Sequence, residues 1–315
     1  MADRPSSLER RRPAPPTPPH ARAFKLTLEY DGTAYAGWQR QPHAPTVQQV
    51  LEEALERVLR HAVRCSAAGR TDAGVHALGQ VARVVTTLRT ISPEGIRRGG
   101  NTHLPPDVRI VAVEPCDISF DPRRDARLRW YRYSILARPS AAALDRSKLW
   151  HVPQPLDWAA VEAGLALLRG RHDFRAFRSA ACRASRTVLN LIKAEHVAPT
   201  QERPAPQGPE PMAPVRGQSV PGRSALAAPA RDLPPAGGLP VHHLDFECRS
   251  FLHNMVRMMV GLLVEIGLGK HSPKAIEQML EAGARNRAPS VQFRVAPPHG
   301  LALMRVDYAE RAASR

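Results

Sequence analysis

Residues 24–30, FKLTLEY, alternate apolar and polar side chains without a break, with Phe24, Leu26, Leu28 and Tyr30 on one face and Lys25, Thr27 and Glu29 on the other. That two-residue period is the mark of a strand with one buried face. After the loop DGTAYAGWQRQPHAP the period changes. Val47, Val50, Leu51, Leu55, Val58 and Leu59 recur at helical spacing, ending near His61. Thr46, with Gln49 three residues on, has the spacing of a capping box and opens this helix. Residues 63–68 and 78–87 read as strands on either side of GRTDAGVH, Ser92-Pro93 starts a short helix, and VRIVAV (108–113) is a further strand. Strand, helix, strand, strand, helix, strand is the split βαβ order of ferredoxin-like folds.

The second half repeats the pattern without repeating the sequence. LRWYRYSIL (128–136) is a strand, Asp157 caps a helix through Leu168, and 186–197 with 241–248 form a hairpin. Residues 250–268 and 273–282 are helices, and Leu301 to Val306 is the last strand. The expected fold class is α+β. Two ferredoxin-like (RRM-like) halves, 24–116 and 117–310, join into a mixed, mainly antiparallel sheet around a central basic cleft.

Proline marks what lies outside this pattern. Of 31 prolines, 6 fall in residues 1–24 and 11 in residues 198–240, both without apolar period. A basic Pro-rich tail, 1–23, and an insertion, 198–240, are therefore expected to be disordered. The two Pro-rich segments carry net charges of +3 and +1 out of +16, which leaves +12 on the other 248 residues. A folded part that basic suits a polyanionic partner. The competing origin is compositional bias, since 40 of the 45 basic residues are Arg.

No run of about 18 apolar residues occurs, so no membrane helix is expected. The Arg- and Pro-rich N-terminus does not resemble a secretory signal. Cys65, Cys116, Cys182 and Cys248 lie far apart with no CxxC pair, which suits a reducing cytoplasm better than a zinc site or a disulfide framework.

In Gly69-Arg70-Thr71-Asp72-Ala73-Gly74-Val75-His76, two glycines bracket one Asp between strands, so the backbone can turn sharply and offer the carboxylate at a loop tip. Arg70 is near enough to pair with Asp72 and keep it ionised. The same residues also fit a plain turn in which Asp72 bonds its own backbone. Tyr131 reads equally as a core aromatic on a strand, Leu301 as core, and Arg257 as a buried cation in need of a partner. His76 and His253 lack metal-ligand spacing and read as hydrogen-bonded structural residues.

Together these strings resemble the tRNA pseudouridine synthase A family. The resemblance rests on EYDGTAYAGWQRQ, TVQQVLEEAL, GRTDAGVH with GQVA, NTHLPPDV, RWYRYSIL, CRASRT, FLHNMVRMMVGLLVEIG and GLALMRVDY, in that order, and runs from about Phe24 to Tyr308. Trp130 and Asn254 depart from the residues common there, and the 198–240 insertion is longer than a usual hairpin connection.

The resemblance implies isomerisation of uridine to pseudouridine at positions 38, 39 and 40 of the tRNA anticodon stem-loop, by a cytoplasmic homodimer without metal or cofactor. Asp72 matches the catalytic aspartate, acting at the ribosyl C1′ or uracil C6. Tyr131 matches the active-site tyrosine that stacks on the base. Arg70 matches the arginine that takes the extruded base's place, Arg257 the basic partner of the aspartate, and Leu301 the apolar residue beneath the uracil. A non-catalytic RNA-binding protein on the same scaffold is the alternative. A nucleosidase is a third reading, although its chemistry generally needs a second catalytic carboxylate, which the motif lacks.

Overall fold

The computed structural model describes residues 20–182, 184–199, 240–288 and 291–309. Apart from their edges, the Pro-rich segments 1–23 and 198–240 lie outside the described residues. Ten strands and five α-helices are present among the described residues, an α+β fold with mixed, mainly antiparallel pairing. Contacts divide the chain into two units. One comprises Met1–Tyr131, Glu247–Ser250 and Ala302–Arg315, the other Arg132–Phe246 and Phe251–Leu301.

The first unit is built from β1 (Arg22–Tyr30), α1 (Val47–Leu59), β2 (Ser66–Ala67), β3 (His76–Thr86), α2 (Pro93–His103) and β4 (Val108–Cys116). The strands lie in the order β4-β1-β3, with β2 on β3, and every one of these pairings is antiparallel. This is the sheet a split βαβ order produces. The alternation in β1 becomes burial: Phe24, Leu26 and Leu28 are fully buried, together with Leu51 and Leu55 of α1. Residues Ala302 and Leu303 of β10 (Leu301–Tyr308) run parallel to β3 beside His76 and Ala77.

Capping chemistry holds at two helix starts and half-holds at a third. Ser92 Oγ accepts from the Gly95 N–H at 3.0 Å, and Asp157 Oδ1 from the Ala160 N–H at 3.1 Å. Thr46 Oγ1 accepts from the Gln49 N–H at 3.4 Å, but the Gln49 side chain donates to Glu53 instead of reaching back. The capping box is therefore one-sided. The strand expected over 63–68 shortens to Ser66–Ala67 for an electrostatic reason. The fully buried Glu52 carboxylate accepts the Cys65 N–H at 2.9 Å, so that amide is satisfied by a side chain rather than by a ladder.

The second unit continues β5 (Ala126–Ala137) from Arg132 onward and adds β6 (Trp150–Val152), α3 (Trp158–Leu168), β7 (Gly170–Asp173), β8 (Val188–Val197), β9 (Val241–Cys248), α4 (Met255–Gly267) and α5 (Lys274–Ala284). Its strands run β5-β9-β8-β7, with β6 parallel to β5. The very apolar helix starts at Met255 rather than near residue 250, because Asn254 has φ +64° and breaks the helical backbone. Ten of the thirteen residues of α4 are buried, which makes it the centre of this unit's core. The chain leaves β8 and returns to β9 beside a fixed pair. His196 Nε2 lies 2.9 Å from His242 Nδ1, and Trp158 stacks on both rings. With its ends held, a long insertion adds little further closure cost.

Candidate active site

The segment between β2 and β3 is a loop whose backbone is tied at several points. The Asp72 carbonyl accepts the Val75 N–H at 3.1 Å, and Gly74, the third residue of that turn, takes φ +76°. A turn with positive φ at this position favours glycine. Segment 31–38 lies against the loop. The Trp38 N–H donates to the Thr71 carbonyl at 3.1 Å, and the Gly74 N–H donates to the Tyr35 carbonyl at 3.2 Å. His76, buried at the loop's end, has Nδ1 3.0 Å from the Gly32 amide nitrogen and 3.2 Å from Asp31 Oδ1. One ring nitrogen cannot accept from the amide and donate to the carboxylate at once, so Nδ1 serves one of the two contacts at a time. His76 is thus the hydrogen-bonded structural residue its spacing suggests.

Side chains beneath the loop fix alternate residues. Thr71 is buried and its Oγ1 is 2.8 Å from the buried Tyr30 hydroxyl. Fully buried Gln80 donates from Nε2 to the Gly69 carbonyl at 2.9 Å and to the Tyr30 hydroxyl at 3.4 Å. Between these held residues Arg70 is exposed, and Asp72, just beyond, is half-buried.

Tyr131 belongs to the same neighbourhood. It is 7% exposed on β5, and its hydroxyl lies within 4.0 Å of where a Cβ on Gly69 would stand. Burial raises the phenol's pKa well above its usual value, with the charges of Tyr30 and Asp72 adding to the rise and Arg129 opposing it. Tyr131 therefore stays a neutral hydroxyl. Arg129, 6% exposed, donates from Nε to the Ala68 carbonyl at 3.2 Å, from Nη2 to the Arg123 carbonyl at 3.0 Å and from Nη1 to the Arg249 carbonyl. Burial lowers its pKa, yet a guanidinium stays charged under any ordinary condition.

The other two expected residues lie in the second unit. Arg257, on α4, donates from Nε to the Ala296 carbonyl at 2.8 Å and from Nη1 to Asn254 Oδ1 at 3.1 Å. Leu301, buried, follows the tight turn Pro298–Gly300. Tyr133 holds that turn, its hydroxyl donating to the Pro297 carbonyl at 2.7 Å. The geometry thus groups Arg70, Asp72 and Tyr131 in one unit and carries Arg257 and Leu301 in the other.

A sequence profile of the family described as tRNA pseudouridine synthase matches residues 26–123 and 165–309. Curated relatives agree over nearly the whole chain. The tRNA pseudouridine synthase A of Pelobacter propionicus is 39% identical over 287 residues, covering 91% of this chain and 100% of that protein. Its namesake from Methylobacterium nodulans is 40% identical over 92% of this chain and 98% of its own length. The Myxococcus xanthus protein is 38% identical over 93% of this chain and 94% of its own. The chain belongs to the tRNA pseudouridine synthase family.

Within this family member, the segments matched by the profile contain Arg70, Asp72, Arg257 and Leu301, while Tyr131 lies in the stretch between them. Sequence reasoning missed the residues under the loop. Tyr30 reads as the last apolar-face residue of β1, Gln80 as one position of a strand, and Arg129 as an ordinary basic residue on β5. A signal was present for Gln80 alone: an uncharged polar residue on the buried side of a strand must find partners inside. Among the described residues, no three His, Cys, Asp or Glu side chains converge as a metal site.

Proposed function

We propose that this protein isomerises uridine to pseudouridine at positions 38, 39 and 40 of the tRNA anticodon stem-loop, with Asp72 as the nucleophile. The observation that carries the reading is the half-buried Asp72 on a backbone-tied loop, with the buried Tyr131 hydroxyl beside Gly69 of the same loop. Membership of the tRNA pseudouridine synthase family supplies the reaction class.

The chemistry needs few groups. The C1′–N1 bond breaks and its electron pair leaves with the uracil. The base turns over, C5 bonds to C1′, the C5 proton departs and N1 gains a proton. Product and substrate have the same atoms, so no oxidant or energy source enters. A fixed carboxylate at C1′, or at uracil C6, supplies electrons where the intermediate lacks them. Tyr131 stacks on the base, and its phenol assists proton removal from C5 by passing its own proton on to solvent as it accepts that one. Arg70, exposed beside the nucleophile, fills the place of the extruded base. Arg257, cationic, and Leu301, apolar, bind the substrate.

We also propose that the protein works as a homodimer in the cytoplasm. None of the four cysteines is in a disulfide, which suits a reducing compartment. Among the described residues no helix is long and apolar enough to cross a membrane. Light scattering of the active protein at working concentration tests the dimer, and a fully active monomer would refute it.

Incubation with unmodified tRNA transcripts, followed by pseudouridine mapping, tests the main reading. Pseudouridine at 38, 39 or 40 is the expected result. Free uracil would identify a nucleosidase instead, and unchanged tRNA bound tightly would identify a binding protein.

A further inference from the structure

We infer that the hydrogen-bonded chain Gln80–Tyr30–Thr71 aims Asp72 and Arg70, making Tyr30 and Thr71 positioning residues for the isomerisation. The inference rests on the reading of Asp72 as nucleophile.

Tyr30, Thr71 and Gln80 are 4%, 6% and 0% exposed. Polar groups at such depth must satisfy one another, and a lost partner leaves the other stranded. Gln80 Nε2 holds the Gly69 carbonyl at 2.9 Å and reaches the Tyr30 hydroxyl at 3.4 Å, and that hydroxyl meets Thr71 Oγ1 at 2.8 Å. The chain therefore grips residues 69 and 71 and leaves residue 70 between them with nowhere to go but outward. Arg70 is exposed, as that grip requires. Asp72 is the next residue after the second held point, so a shift at Thr71 passes to the carboxylate through one peptide unit.

Tyr30 is suited to this task. Its ring packs 6.2 Å from that of Trp38, whose own N–H holds the Thr71 carbonyl at 3.1 Å. Tyr30 thus braces Thr71 through its hydroxyl, and its ring neighbour braces the same residue through the backbone. Tyr30 sits on β1 and Gln80 on β3, strands that pair antiparallel, so the anchor for a loop residue is a sheet rather than another loop. Sites supported from rigid elements keep their geometry to fractions of an ångström.

A merely stabilising network and an aiming device differ in what their loss changes. The test measures tritium release from C5-labelled uridine in intact tRNA, for the wild type and for Tyr30→Phe, Thr71→Val, Thr71→Ser and Asp72→Asn, with folding checked by circular dichroism. Tyr30→Phe and Thr71→Val should each lower kcat about 10- to 100-fold with KM within about twofold, the effect of misplacing a catalytic group. Both remove the Tyr30–Thr71 hydrogen bond, and Tyr30→Phe also removes the longer one from Gln80, so the double variant should be no slower than about Tyr30→Phe alone. Thr71→Ser keeps the hydroxyl and should restore most of the rate. Folded Thr71→Val or Tyr30→Phe with wild-type kcat overturns the inference, as do losses confined to KM. If one of the two fails to fold, the other decides. An active Asp72→Asn would instead overturn the nucleophile reading, whereas an inert Asp72→Asn beside full-rate Tyr30→Phe and Thr71→Val would remove the positioning role alone.

Discussion

Gly37, at φ +92°, lies so close to Thr71 that a Cβ there would stand 2.5 Å from the Thr71 carbonyl oxygen. Backbone meets backbone at this point, and neither side can yield by rotating a side chain. Gly37→Ala should therefore destabilise the protein by about 2–4 kcal/mol, from strain at positive φ and a forced shift of the loop. Thermal unfolding checks it, and a Gly37→Ala variant with the wild-type Tm would contradict the close approach.

Arg132 and Asp245 join β5 to β9 by two parallel hydrogen bonds of 2.8 Å, with the Asp245 side chain 2% exposed. Arg132→Ala leaves a buried carboxylate without its cation and should cost about 3–5 kcal/mol. Arg132→Met combined with Asp245→Leu removes both charges and should recover most of that loss. Denaturant unfolding of the three variants measures the difference. An additive double variant would show that the two residues act separately.

All five tyrosines are held above the usual phenol range near 10, Tyr30 at about 12, chiefly by burial. As pH rises past about 10 the unfolded chain loses phenol protons that the folded chain still binds. The tyrosines' contribution to stability is therefore fully present below about 10 and is lost as pH climbs toward the folded-state values. Near-ultraviolet absorbance should show tyrosinate appearing together with unfolding. Tyrosinate formed near pH 10 in a protein whose circular dichroism is unchanged would contradict the burial of these rings.

Association with tRNA should weaken steeply with salt, because the residues outside the two Pro-rich segments carry +12 and release counterions where they meet phosphates. The log–log slope should be about −0.7 to −0.9 per phosphate contacted. Binding titrations between low and physiological salt measure it, and a flat dependence would place recognition elsewhere than on charge.

The fold was legible where one residue's local rule decided the outcome. The alternation of Phe24 to Tyr30, the Ser92 and Asp157 caps and the apolar stripe of α1 all act within a few residues, and each appears in the structure. What escaped the sequence depends on distant partners. Cys65 leaves the strand ladder because Glu52, thirteen residues earlier, reaches its amide. The same holds at the candidate site. Asp72 stands out through its glycines, whereas Tyr30, Gln80 and Arg129 acquire their meaning only once β1, β3 and β5 bring them to the loop.

In the proposed reaction the Asp72 carboxylate does the chemistry. Asp72→Asn keeps the shape of the side chain and removes its charge, so the loop's backbone bonds stay in place. Single-turnover pseudouridine formation on intact tRNA by folded Asp72→Asn, with binding measured in parallel, decides the matter. The account predicts tRNA affinity close to that of the wild type and no detectable pseudouridine; turnover near the wild-type rate by the folded variant would contradict it.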